Sequence, residues 1–220
     1  MGKTYTAFLC DELSKARIGE PIYSCRLAEK MELAFGLGPK VASAAVAVAL
    51  KRILDGGSVP ELRAYQKGIY YRAAATPFGE VKINKEQLIA DKYLLPDIGY
   101  ETGLAVLHYM GLTTQMPRVR SLATNVAKDC ARADRKLGVL IRPPKVKVTR
   151  QNKAYLQTLD ALEIFERAPI DAEQPYKIIA EHIDGMGLRY DTLLALADNH
   201  YNHDTIMQLA HTAGVLGVSI

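Results

Sequence analysis

The chain contains no run of eighteen apolar residues free of charge, which argues against a membrane-spanning helix. Its opening, Met1-Gly2-Lys3-Thr4-Tyr5, leads into no apolar signal core, so the expected location is the cytoplasm, with no membrane partner. The three cysteines, Cys10, Cys25 and Cys130, stand in unrelated contexts without CxxC spacing. That pattern argues against zinc and redox pairing and predicts reduced, buried thiols. A lysine-bearing phosphate loop, a GxSxG elbow and an HExxH helix are also missing. With no common catalytic signature, the chain is expected not to be an enzyme, and no catalytic residue, cofactor or metal is assigned.

What is present is an uneven distribution of charge. Residues 1–75 carry 11 basic and 7 acidic side chains, residues 76–148 carry 12 and 7, and residues 149–220 carry 5 and 10. A field of this shape favours a polyanion on the first two segments and disfavours it on the third. About half of the 220 residues are apolar, enough to bury a core in one or two domains.

Periodicity resolves the N-terminal segment. Thr4 to Arg17 places Tyr5, Phe8, Leu9, Leu13 and Ala16 near one helical face before Gly19-Glu20-Pro21 stops the helix. Ile22-Tyr23 is extended, and Ser24 is positioned to cap a second helix with Leu27, Ala28 and Met31 on its apolar side. Pro39 suits the first turn of a third helix, whose apolar side is read as Val41, Ala45, Val48, Ala49, Ile53 and Leu54 and which stops at Gly56-Gly57. From Val59 to Tyr71 the period changes to that of two short strands around the turn Gln66-Lys67-Gly68.

Three helices and a basic hairpin predict a winged helix-turn-helix, with double-stranded DNA as the partner. In that arrangement the third helix enters the major groove and the hairpin touches phosphate or the minor groove. Lys40 and Ser43 are then expected to face bases and Lys51 and Arg52 to reach the backbone, with Arg63, Lys67, Tyr70 and Arg72 on the wing. A module that binds protein is the competing reading, because Val41-Ala42-Ser43-Ala44-Ala45-Val46-Ala47-Val48-Ala49 offers few side chains that read a base.

After the junction Ala73-Ala74-Ala75-Thr76-Pro77 the pattern is mixed α/β. Helices are expected from Asn84 to Leu95 and from Tyr100 to Met110, then strands over Gln115–Leu122 and Gly138–Arg142. Around these strands lies a dense basic tract of Arg118, Arg120, Lys128, Arg132, Arg135, Lys136, Arg142, Lys145 and Lys147. Strand alternation puts Arg118 and Arg120 on one face and Lys145 and Lys147 on one face. Such a surface can extend a DNA footprint, contact RNA, meet an acidic partner or simply be solvated. The acidic third reads as helices over Asn152–Arg167, Glu173–Asp184 and Tyr190–Thr212. Two clusters there are weighed and set aside: His200, His203 and Asp204, with His182 and His211, as metal ligands, and Asp160, Glu163 and Glu166 as a magnesium-holding face.

Gly68-Ile69-Tyr70-Tyr71-Arg72 running into Thr76-Pro77-Phe78-Gly79 resembles the wing and linker of the AbiEi-type antitoxins, a family of transcriptional regulators. The likeness continues through Gly99-Tyr100-Glu101-Thr102-Gly103, Gly111-Leu112-Thr113-Thr114-Gln115-Met116-Pro117, Ala123-Thr124-Asn125 and Gln157-Thr158-Leu159-Asp160-Ala161-Leu162, and spans about residues 20–170. It implies the antitoxin half of a bacterial toxin-antitoxin pair. Such a protein represses its own operon from an N-terminal winged helix and counters a nucleotidyltransferase-like toxin, without a stable complex, through its C-terminal domain. A stand-alone regulator is the alternative. The expected fold class is α/β (α+β): a DNA-binding winged helix-turn-helix over residues 1–75, then a mixed α/β antitoxin-type domain with a helical end over residues 76–220.

Overall fold

Thr4 begins the first helix by accepting a hydrogen bond from the Ala7 amide, which satisfies an N-terminal donor of α1 (Tyr5–Lys15). The computed structural model describes residues 4–217, a mixed α/β chain that divides into two units between Leu88 and Ile89. In the first unit β1 (Ile22–Tyr23) leads directly into α2 (Ser24–Phe35), which Gly36 ends in the left-handed conformation. Pro39 occupies the first turn of α3 (Pro39–Gly56), and Gly57 closes it at φ 61°. Strands β2 (Leu62–Gln66) and β3 (Ile69–Arg72) form an antiparallel hairpin, and β1 adds to β3 for the order β1-β3-β2. Leu9 and Leu13 of α1, Leu27 and Met31 of α2, and Val46, Leu50 and Ile53 of α3 form one buried cluster with Ile22 and Leu62.

Residues 76–88 belong to this unit by their hydrogen bonds. β4 (Ala75–Thr76) and β5 (Gly79–Glu80) make a second small hairpin. The Val81 amide donates to the Ala74 carbonyl, and the Asn84 amide donates to the Gly19 carbonyl at 2.7 Å. The alanine-rich junction is therefore folded back on the first unit. Helix α4 (Lys85–Ile89), with Asn84 accepting from the Gln87 amide, carries the chain across the division, which falls before its last residue.

The second unit is built on a four-stranded sheet of β6 (Gly99–Thr102), β7 (Arg120–Thr124), β8 (Arg132–Asp134) and β9 (Val139–Arg142), in the order β6-β7-β9-β8. Only the β7–β9 pair is parallel. Short α5 (Leu104–Tyr109) and longer α6 (Lys153–Ile164) pack with β6, followed by α7 (Pro175–Gly185), α8 (Tyr190–His200) and α9 (His203–Leu216). Leu107, Leu112, Leu159, Leu162, Ile179, Ile183, Leu193 and Leu209 form the helical core. Gly99 is required by a close backbone approach: a Cβ there would lie 2.2 Å from the Tyr93 carbonyl oxygen and 2.7 Å from that of Ala123.

Several local expectations are corrected. Ser24 is the first residue of α2 rather than a side-chain cap, because the chain passes straight from strand to helix. The buried side of α3 is Ala42, Val46, Ala49, Leu50 and Ile53, whereas Val41 and Val48 are 58% and 51% exposed. Tyr100–Met110 is not one helix: Gly103 at φ 75° separates β6 from α5. The strand expected over 115–122 begins only at Arg120, so Arg118 lies outside it, and Lys145 and Lys147 follow β9 in non-strand backbone. The last long helix breaks at Tyr201, and Asn202 caps α9 by accepting from the Thr205 amide. The thiols are not buried: Cys10 is half-buried, and Cys25 and Cys130 are exposed. No single helix among the described residues is long and apolar enough to cross a membrane.

Candidate nucleic-acid interface

On α3 the core-facing positions recur at 42, 46, 49, 50 and 53, which turns residues 40, 44, 47 and 51 to the opposite side. Lys40, Ser43, Ala44, Ala47 and Lys51 are all exposed there. Lys40 and Arg52 also line an open groove of about 520 Å³ with Val41, Ala44 and Val48, its far wall being Tyr5 and Thr6 of α1. Cations thus stand near both ends of α3, about 18 Å apart at 1.5 Å per residue. Between them the exposed surface is mainly methyl groups close to the helix backbone.

Lys67 is exposed in the β2–β3 turn. The turn is held to the start of α2, because the Gly68 carbonyl accepts from the Ser24 amide at 2.9 Å. Gly68 needs its φ of 78°, and a Cβ at this position would come within 3.1 Å of the Ser24 hydroxyl. Lys40, Lys51, Arg52 and Lys67 make no ion pair with any described residue.

The remaining first-unit candidates have structural partners. Arg72 is only 18% exposed; its Nη1 donates to the Ser14 and Ala16 carbonyls at 2.7 and 2.8 Å, and its Nη2 donates to Glu61 at 2.6 Å. It thereby satisfies carbonyls at the end of α1 and ties β3 to that helix. Arg63 pairs with Glu80 at 2.7 Å and donates to the Pro60 carbonyl. Tyr70 is half-buried against the core cluster.

In the second unit much of the basic tract meets acids from distant sequence. Arg120 pairs with Glu101 at 2.7 Å, Lys145 with Glu163 at 2.7 Å, and Arg142 with Asp160 through Nη2. Asp160 is 1% exposed and also accepts from Tyr201 at 2.9 Å and Thr102 at 3.0 Å. Burial pushes its carboxyl above the usual range even though Arg142, Tyr201 and Thr102 favour the charged form. The Tyr100 hydroxyl is buried near this carboxylate, and burial together with the Asp160 charge pushes it above the usual phenol range. Arg118, Lys128, Arg132, Arg135, Lys136 and Lys147 are exposed, with Arg132, Arg135 and Lys136 together on the β8–β9 hairpin.

The acidic triad of α6 is dispersed: Asp160 faces Arg142, Glu163 faces Lys145, and Glu166 accepts from Gln208 at 2.6 Å. His200 ends α8 and His203 starts α9, so they do not share a helical face. Among the described residues no group of three or more His, Cys, Asp or Glu is placed to hold a metal ion. Thr113, Thr114 and Gln115 serve the local fold, with Thr114 donating to Asp171 through its amide and hydroxyl and Gln115 donating to the Thr113 hydroxyl. Asn125 likewise exchanges hydrogen bonds with the Val148 backbone, and Gln157 donates to the Glu101 carbonyl.

No family model and no curated protein matches the chain. Functional assignment therefore rests on the geometry and on the motifs. Sequence reading missed the exposed valines of α3, since alanines on every side of that helix erase the contrast between faces. It also missed Tyr201, whose contact with Asp160 spans 41 residues.

Proposed function

We propose that the chain is a DNA-binding transcriptional repressor whose first unit is a winged helix-turn-helix. The connectivity supports this: β1 lies between α1 and α2, α3 precedes the hairpin, and the sheet order is β1-β3-β2. The observation that carries the reading is the set Lys40, Lys51, Arg52 and Lys67, unpaired cations on α3 and on the tip of the wing. In this reading α3 lies in the major groove, and its terminal cations reach phosphates on either side. Ala44 and Ala47 allow close approach and offer methyl contacts suited to thymine, so readout depends more on shape than on hydrogen bonds to bases. Lys67 adds a phosphate contact from the wing, while Arg63, Tyr70 and Arg72 hold the wing in place.

The motifs shared with the AbiEi-type antitoxins extend the proposal. The repressor then acts in the bacterial cytoplasm on its own promoter and counters a nucleotidyltransferase-like toxin without a stable complex. A mobility-shift titration on the chain's own promoter tests the DNA reading. Ala47→Glu, at an exposed helical position, is expected to weaken binding at least tenfold while leaving the melting temperature within about 2 °C, and unchanged affinity would remove α3 from the interface. Co-expression with the adjacent gene product tests the antitoxin reading: rescue from toxicity supports it, and a harmless neighbour favours a stand-alone regulator.

A further inference from the structure

The second unit contains a cleft of about 360 Å³ at the end of α6. Strand register explains its polar wall. Thr102 pairs with Ser121 and Ser121 with Leu140, so these three side chains lie side by side on one sheet face, and Arg142 follows two positions after Leu140 on the same face. Ile164 and Arg167, from the end of α6 and the short turn after it, complete the lining.

The cleft is electrostatically prepared. Arg142 is anchored by one nitrogen, Nη2, to Asp160 and to the Thr102 hydroxyl, and its side chain keeps 27% exposure. Asp160 lies behind it, buried and bonded to Tyr201 and Thr102, so its charge fixes the guanidinium without standing in the opening. Arg167 supplies a second guanidinium, exposed and without an ion-pair partner among the described residues. The Ser121 hydroxyl is also unpartnered among them. Glu163 is the one acid in the lining and is held by Lys145. Two guanidiniums and a hydroxyl suit a phosphate monoester, because planar donors bind its oxygens in a forked geometry. Leu140 and Ile164 supply an apolar surface beside them, in a volume at the lower end of small-ligand sites.

We propose that this cleft binds a nucleoside monophosphate or the 5′-phosphate end of a nucleic-acid strand, with the phosphate between Arg142, Arg167 and Ser121 and the base or sugar against Leu140 and Ile164. The assignment is independent of the DNA-binding reading of the first unit. Isothermal titration of the full chain with AMP, GMP, CMP and UMP tests it, alongside adenosine, inorganic phosphate and a 5′-phosphorylated dinucleotide. At least one phosphorylated probe is expected to bind at one site per chain, with adenosine and inorganic phosphate each at least tenfold weaker. A tighter dinucleotide assigns the cleft to strand ends, and a tighter mononucleotide assigns it to free nucleotides.

Arg167→Ala is expected to weaken binding at least tenfold with an unchanged melting temperature, and Arg167→Lys to restore part of the loss. Leu140→Trp, a second variant at a partly exposed position, is expected to block the base without removing either cation. The proposal is overturned if no phosphorylated probe saturates the chain at millimolar concentration. It is overturned equally if Arg167→Ala binds within twofold of the parent, or if inorganic phosphate binds as tightly as the nucleotides.

Discussion

The two units carry similar numbers of cations but use them differently. Residues 1–88 hold 13 basic and 9 acidic side chains, and residues 89–220 hold 15 of each, so the chain's net charge of +4 belongs to the first unit. In the first unit Lys40, Lys51, Arg52 and Lys67 remain unpaired on one helix and one turn. In the second, Lys92, Arg120, Arg142 and Lys145 are committed to Asp134, Glu101, Asp160 and Glu163, whereas Arg118, Lys128, Arg132, Arg135 and Lys147 stay exposed. A basic stretch of sequence is thus not in itself a basic surface. Asp160 and Glu163 of α6, which follows the tract, neutralise Arg142 and Lys145 within it.

The contrast predicts that removing a committed cation damages the fold, whereas removing a free one damages only binding. The largest stability loss is expected for Arg142→Met, about 3 kcal/mol by chemical denaturation, because Asp160 is left buried without its partner. With the guanidinium gone, burial dominates the carboxyl and raises its folded value further above the unfolded one. A raised acid favours folding below the unfolded value and loses that contribution as pH rises through the folded value, so the deficit of Arg142→Met should deepen from pH 4 toward neutrality. A deficit independent of pH would mean that Asp160 does not titrate there.

Next is Gly99→Ala, expected to cost about 2–3 kcal/mol, since its Cβ would collide with the Tyr93 and Ala123 carbonyl oxygens, both backbone atoms. Thermal melting of this variant within about 1 °C of the parent would contradict the close approach. A smaller effect is expected at Asp134. Burial there favours the neutral acid, but Lys92, Tyr93 and the Leu137 amide outweigh it and bring the carboxyl to about 2. Its contribution is therefore full above the ordinary value of 3.8 and is lost as pH falls toward 2. Asp134→Asn should flatten the acid limb of the stability curve in that interval, and a curve parallel to that of the parent would show that the carboxylate is not held by these partners.

Legibility in the sequence followed the range of the interactions. Pro39 and the Gly56-Gly57 stop bounded α3 correctly, and Leu27, Ala28 and Met31 marked the buried side of α2, because caps and amphipathic spacing act within a few residues. The turn at Lys67-Gly68 was legible for the same reason. The face of α3 was not, since a helix with alanine at 42, 44, 45, 47 and 49 has little hydrophobic contrast for periodicity to detect. Nor were the pairs Arg120–Glu101, Arg142–Asp160 and Lys145–Glu163 of the second unit, which join residues 18 or 19 positions apart. Arg142 therefore read as surface charge although one of its nitrogens is tied to a buried acid, and Arg72 read as a wing contact although it holds α1 to β3.

The most direct test of the central claim is the salt dependence of promoter affinity, measured for the parent and for the combined variant Lys40→Ala, Lys51→Ala, Arg52→Ala, Lys67→Ala. Each phosphate contact contributes about 0.9 to the slope of log affinity against log salt, so loss of all four contacts predicts a slope shallower by about 3.6 and an affinity at least a hundredfold lower, with the melting temperature unchanged. A variant that keeps the parent's slope and affinity would contradict it, and would show that the free cations of the first unit do not hold DNA.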